Sequence, residues 1–285
     1  MSGMEYFLRF ENWSAGWLLF FVFLWISHVV VLKSSRVHKV CFASGLFILY
    51  LVFGSPLALL SEYGLHSTAM VKQMLIVMVA PILILNGVPK NIFAGSMRND
   101  FWNSGNSKKL VMVAWFLGAL AMWGGHFFGA IVMSAKTGLA ICGISAPIEG
   151  WFSAVPENLI LAVLLLMGVL FALPVFNPNR SHRIGALQSV AYLFTSCVSC
   201  SILGLYVTFS AVSNATLNTT TLRNPFSLSS IADQELAGML MWVPGCFLYV
   251  FLCMAILMRW YDEKEGQLKP QPLIMKTKKI EQIHT

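Results

Sequence analysis

Charge is what this chain has least of. Only 11% of its 285 residues are Asp, Glu, Lys or Arg, while 57% are hydrophobic and the mean hydropathy is +0.72. A soluble domain of this length is excluded, because there is too little polar surface to face water. The longest connections, 87–109, 134–156 and 214–236, leave no room for a soluble catalytic domain. Inside the apolar stretches there are no paired carboxylates, and no internal repeat relates two halves, which disfavours a small-molecule transporter. The last stretch, 237–258, holds no lysine, which excludes a retinal Schiff base. No group combines nucleophile, base and orienter, so a conventional enzyme is not expected. No small-residue cleavage site follows the first stretch; Lys33 and Arg36 do, and the arm before it is acidic and aromatic (Glu5, Tyr6, Phe10, Glu11, Trp13). That pattern predicts a retained span and not a removable signal.

Seven apolar runs are present, at about 13–32, 40–60, 69–86, 110–133, 157–176, 186–213 and 237–258. Each is near the length needed to cross about 30 Å of hydrocarbon as a helix. The expected fold is an all-α bundle of seven transmembrane helices (1–260) with a basic tail (261–285) that is mobile and cytoplasmic. Lys and Arg alternate between connections. Those joining runs one to two, three to four and five to six, with the tail, carry 3, 4, 2 and 6, fifteen in all. The N-terminal arm and the other connections carry 1, 0, 1 and 1, and Lys72 lies within a run. Basic connections stay in the cytoplasm, so the N-terminus is expected outside and the tail inside. The net charge of +7 then belongs to loops and to tail lysines facing anionic lipid, with the bilayer as partner and no nucleic acid. Pro81 and Pro244 are expected to interrupt runs three and seven. The apolar connection 134–156 is expected outside, along the interface or dipping into it. Asn214 and Asn218 open formal glycosylation sequons, which carry no meaning in a bacterial chain, the expected source.

Side chains suited to a soft metal recur on run three: His66, Met70, Met74 and Met78 are spaced by four and share one slowly turning face. Imidazole and thioether suit Cu(I), although methionine stripes also serve as packing. The orientation puts His66, Met70 and Met74 in the outer half of their run, together with His126, Met133, Glu157, Asp233, Met239 and Met241 from other runs. His66, Met70, Met74 and His126 are therefore the candidate ligands. An ionisable residue inside a span points to function. Lys72 has two readings: it snorkels to the interface, or it holds a carboxylate such as Glu157, in which case both support the site. Six cysteines (Cys41, Cys142, Cys197, Cys200, Cys246, Cys253) fall mostly within runs and do not form a disulfide framework. Cys197 and Cys200 make a Cys-x-x-Cys, but Ser196, Cys200 and Gly204 make a small-xxx-small face, and packing is favoured.

Two segments carry a resemblance. Asp233-Gln234-Glu235-Leu236-Ala237-Gly238-Met239-Leu240-Met241-Trp242-Val243-Pro244-Gly245 opens the last run, and Met78-Val79-Ala80-Pro81-Ile82-Leu83 through Asn86-Gly87-Val88-Pro89 closes the third. From run two onward the chain resembles the CtaG family of seven-span bacterial cytochrome c oxidase assembly factors. The resemblance implies a bacterial plasma-membrane (inner-membrane) protein that matures a haem–copper oxidase at its copper-loading step, with oxidase subunits or other respiratory membrane proteins as partners. Asp233, Gln234, Gly238 and Trp242 match the family motif. The family's His-Met-x-x-His opening of run three reads Ala69, Met70 and Gln73 in this chain, and His66 lies three residues earlier. Its tryptophan-histidine pair is spread over Trp123-Gly124-Gly125-His126, and the histidines that begin run five are Glu157 and Leu161. Either a methionine-richer site replaces the histidine site, or the scaffold is kept with a changed ligand. The competing expectation is a non-catalytic structural subunit or scaffold of a larger respiratory complex, with no metal of its own.

Overall fold

The third apolar segment sits at the centre of the bundle, and its backbone changes type midway. In the computed structural model the described residues are 9–32, 34–62, 65–89, 107–137, 142, 144, 154–213, 226 and 228–268. Helix α1 spans Ala15–Val31, α2 Arg36–Phe53, the short α3 Pro56–Glu62 and α4 His66–Met74. A π-helical turn, Leu75–Val79, joins α4 to α5, Ala80–Gly87. Then come α6 Ser107–Thr137, α7 Glu157–Phe176, α8 Ala186–Ser213 and α9 Ser230–Leu268. No strand forms among the described residues.

Six of these segments are long and apolar enough to cross a membrane, the second and third counted as Arg36–Leu60 and His66–Gly87. Helix α1 is the exception. Its 17 residues cover about 25 Å at 1.5 Å per residue, so the first run is shorter than expected. The second run is not one helix either. Gly54 caps α2, with its N–H on the Tyr50 carbonyl at 2.8 Å, and only glycine fits there, because a Cβ would stand within 2.9 Å of Trp17 and Tyr50. Pro56 then begins α3, where its missing N–H does no harm. Runs five and six match their expected limits. The helix of the seventh run, α9, is longer than that run at both ends and passes through Pro244 and the expected tail boundary to Leu268. Residues 261–268, expected as mobile tail, are thus helical; the rest of the tail, most of 134–156 and both sequons lie outside the described residues.

Pro81 explains the turn at the centre. Proline has no N–H to offer the Val77 carbonyl four residues back, and its ring crowds that oxygen. The backbone widens, and the Ala80 N–H reaches the Leu75 carbonyl. Gly168 of α7 closes on the same place: a Cβ there would stand 2.7 Å from the Val77 oxygen and 2.9 Å from its Cα. Both are backbone atoms, so neither can move aside. Gly168→Ala is therefore expected to cost about 1–3 kcal/mol. The purified protein should melt at lower temperature in detergent, and an unchanged Tm would show that the two helices part freely.

At its far end the central segment is held by histidines. His38 Nδ1 donates to the Asn86 carbonyl at 2.7 Å, and His28 Nε2 donates to that of Gly87 at 3.1 Å. These are helix-end carbonyls without internal partners. On the outer faces Phe23, Phe47, Phe116, Leu166, Phe209 and Phe251 are all more than half exposed. In water such apolar cover would aggregate; in lipid it is solvated.

Candidate metal centre

Helix α4 starts at His66 after Leu65, which caps nothing with its side chain. The first N–H groups of a helix have no partner within it. Asp233 of α9 supplies one from across the bundle. Its Oδ2 accepts the His66 N–H at 2.6 Å, and its Oδ1 accepts the Ser67 N–H at 3.2 Å and the Ser67 hydroxyl. A carboxylate at a helix N-terminus also faces the positive end of the macrodipole.

A second tie fixes His126. Gln73 Nε2 donates to the carbonyls of Ala121 and Met122 on α6, at 3.0 and 2.8 Å. Gly125 makes room for that amide: a Cβ there would stand 2.8 Å from the same nitrogen. The tie holds the turn just before His126. Next to it, Trp123 Nε1 donates to Ser199 Oγ at 3.0 Å.

A third tie fixes Cys142. Gln234 Oε1 accepts the Cys142 N–H at 3.4 Å, while its Nε2 donates to Val207 O at 3.2 Å and Ser210 Oγ at 2.9 Å. Cys142 has φ 52°, a left-handed conformation that costs a non-glycine residue about 1–3 kcal/mol. Burial pushes its thiol up to about 11. The free thiol is therefore protonated at neutral pH, and a metal must displace that proton.

The three ties bring three soft or borderline donors together. The His66 and His126 rings meet edge to face, 5.3 Å between centroids. One donor atom from each of His66, His126 and Cys142 lies within 4.8 Å of the others, and all three residues are buried. All four ring nitrogens lack a hydrogen-bond partner among the described residues. Buried polar atoms are nearly always bonded, so such a pair of orphaned rings needs a reason. Two imidazoles and a thiol fit a metal, and Cu(I) best by charge. With one thiolate and two neutral rings it adds no net charge to a buried site, whereas a divalent ion would leave one.

The other expected residues are placed as follows. Met70 is buried one turn beyond His66, and both line a cavity of about 320 Å³ with Met133, Gln73, Lys72 and Glu157. Met74 does not join the histidines. Its methyl lies 3.3 Å from where a Cβ on Gly245 would stand, with Cys200 Sγ 3.4 Å from that point. Met241 is buried elsewhere, its carbonyl taking the Cys200 thiol, and Met239 is 46% exposed on the outer face. Gly238 is a contact point: a Cβ there would stand 2.6 Å from Thr208 N and 2.7 Å from Gly204 O. Trp242 is 39% exposed beside Gly204. The thiols of the Cys-x-x-Cys diverge, Cys197 to Cys246 at 3.6 Å and Cys200 to the Met241 carbonyl. Sequence reasoning missed Cys142 as a member of this cluster; its position in a connection on the histidine side was the available signal.

Lys72 does not snorkel. It is 2% exposed and forms an ion pair with Glu157, which is 35% exposed. Glu157→Ala takes the carboxylate from a buried ammonium, and breaking such a pair costs about 3–5 kcal/mol when both ends are buried. With Glu157 partly solvated, a loss near the lower end, about 3 kcal/mol, is expected. The double change Lys72→Met, Glu157→Gln should restore much of the lost Tm; if it melts no higher than Glu157→Ala, the pair is not what matters.

No curated protein and no solved structure matches the chain. A family model does, over residues 18–263, a span that contains His66, His126 and Cys142 and the residues that tie them. On that match the chain belongs to the family of cytochrome c oxidase caa3 assembly factors (Caa3_CtaG).

Proposed function

We propose that this protein holds copper as cargo on the extracytoplasmic side of a bacterial inner membrane, for the copper centre of a haem–copper cytochrome c oxidase. One observation supports the reading above the rest: four buried imidazole nitrogens without hydrogen-bond partners among the described residues, beside a buried thiol. A metal-free scaffold gains nothing from leaving those atoms unbonded, whereas a carrier of a soft cation needs them so. The side of the membrane follows from charge. The fifteen Lys and Arg of the basic connections belong in the cytoplasm, which puts the start of α4 and of α9 at the opposite face.

In this reading His66, His126 and Cys142 bind the ion, and the thiol gives up one proton as it does so. Asp233, Gln73 and Gln234 touch no metal and hold the three ligand-bearing segments in register. The cavity beside His66 gives the cargo space to arrive and leave, with Met70 and Met133 as further soft groups on its wall. The Lys72–Glu157 pair closes one side of that cavity.

The test is genetic and biochemical. A deletion strain should assemble oxidase protein deficient in copper. The wild-type chain should restore the copper content, and the His66→Ala, His126→Ala chain should not. Normal oxidase copper in the deletion strain, or equal rescue by both chains, would overturn the proposal.

A further inference from the structure

At the end of the bundle opposite the metal centre, three arginines converge on one cavity of about 250 Å³. Arg180 and Arg183 come from the turn between α7 and α8, and Arg259 from the last turns of α9. The Nε of Arg183 donates to the Asn177 carbonyl at 2.7 Å, which fixes its guanidinium at the wall. Burial and the charges of Arg180 and Arg259 both hold Arg183 below its ordinary value, so the three sense one another. Among the residues that line the cavity one carboxylate faces them: Glu263 pairs with Arg180 at 3.6 Å, both largely exposed. Within that lining, three guanidiniums against one carboxylate leave an excess of two positive charges. Like charges gathered around a cavity repel unless an anion joins them.

The rest of the cavity says what kind of anion. Val175, Phe176 and Ile256 make an apolar wall, and the indole of Trp260 lines the rim, with the Lys264 ammonium 4.5 Å from its ring centroid. Tryptophan at this depth marks the headgroup layer, and guanidinium forks match phosphate oxygens. An anion with no tail would leave the apolar wall bare.

We propose that this cavity is a binding site for an anionic phospholipid, and that its two uncompensated charges select a lipid carrying two phosphates. The site is independent of the metal centre, and either can fail without the other. Basic pockets between membrane helices commonly take such headgroups.

The full chain, purified in detergent, is titrated with diphosphatidylglycerol, phosphatidylglycerol, phosphatidylcholine or inorganic phosphate while Tm is read. Diphosphatidylglycerol should raise Tm most, phosphatidylglycerol less, and phosphatidylcholine and inorganic phosphate not at all. Arg183→Gln with Arg259→Gln should weaken the apparent affinity for diphosphatidylglycerol about 30-fold. Lys108→Gln with Lys109→Gln removes two exposed charges from the same end of the bundle and should leave it unchanged. Equal affinity in the arginine variant, or an equal rise with inorganic phosphate, would overturn the proposal. Should the arginine variant not fold, native mass spectrometry of the wild-type chain decides: retained diphosphatidylglycerol supports the site, and its absence overturns it.

Discussion

Protein carrying His66→Ala and His126→Ala is expected to lose tight copper binding. The wild-type chain should take up one Cu(I) per chain at this centre, and the variant should bind at least about 100-fold more weakly. Loss of outer partners alone weakens metal sites by about 10–100-fold, and in this variant two of three donors go. The same rings make a second, opposite expectation for the metal-free protein. Each imidazole is buried with no partner for its nitrogens among the described residues. Keeping an unpaired polar group buried costs about 1–3 kcal/mol. Replacing His66 and His126 by leucine, which fills similar space without polar atoms, should therefore raise the Tm of the metal-free protein while abolishing copper binding. A packing histidine would behave in the reverse way, with lower Tm and copper unchanged. Titration against a Cu(I) chelator and a melting curve on the same samples separate the two, and lower Tm with retained copper sinks the metal centre.

How far the sequence foretold the bundle and its centre depends on the kind of signal. Long apolar runs bounded by polar residues gave helices at the expected limits where nothing intrudes, as in α7 and α8. The second run broke at Gly54-Ser55-Pro56, a local signal, since the residue before a proline is driven out of the helical region. The packing of Trp17 against Gly54 is the part that no local pattern carries. Pro81 signalled a disturbance, but its form, a π-helical turn closed by Gly168, depends on the neighbouring helix. His66 and His126 were legible because helical spacing assigns a face and charge alternation assigns a depth. Gln73 ties α4 to the turn before His126, a long-range contact that helical spacing does not announce. Met74 shared the stripe but not the contact, since a stripe advancing 400° every four residues slowly rotates away. Cys142 was missed because it lies in an irregular connection, where no periodicity places a side chain.

Asp233→Ala should be the most damaging single change outside the ligands, although Asp233 touches no metal. The carboxylate accepts three hydrogen bonds, two of them from the otherwise partnerless N–H groups that open α4. Hydrogen bonds to a charged group contribute about 1.5–3 kcal/mol each, and a buried donor left bare costs about 1–3 kcal/mol. Partial fraying of the first turn relieves some of this, so a net loss of about 3–5 kcal/mol is expected. Fraying begins at His66, which makes the stability loss a binding loss too. Its ring leaves the 5.3 Å contact with His126, and copper affinity should fall about 10–100-fold. Asp233→Asn separates geometry from charge. Its side-chain carbonyl can still cap one N–H, so Asn should recover at least half of the lost Tm and most of the copper affinity. If Asn binds copper no better than Ala, the negative charge itself serves the site, through the field it puts on the ion. If Ala binds copper as tightly as wild type, His66 is held by something other than its helix cap, and the Asp-Gln motif does not position the ligand.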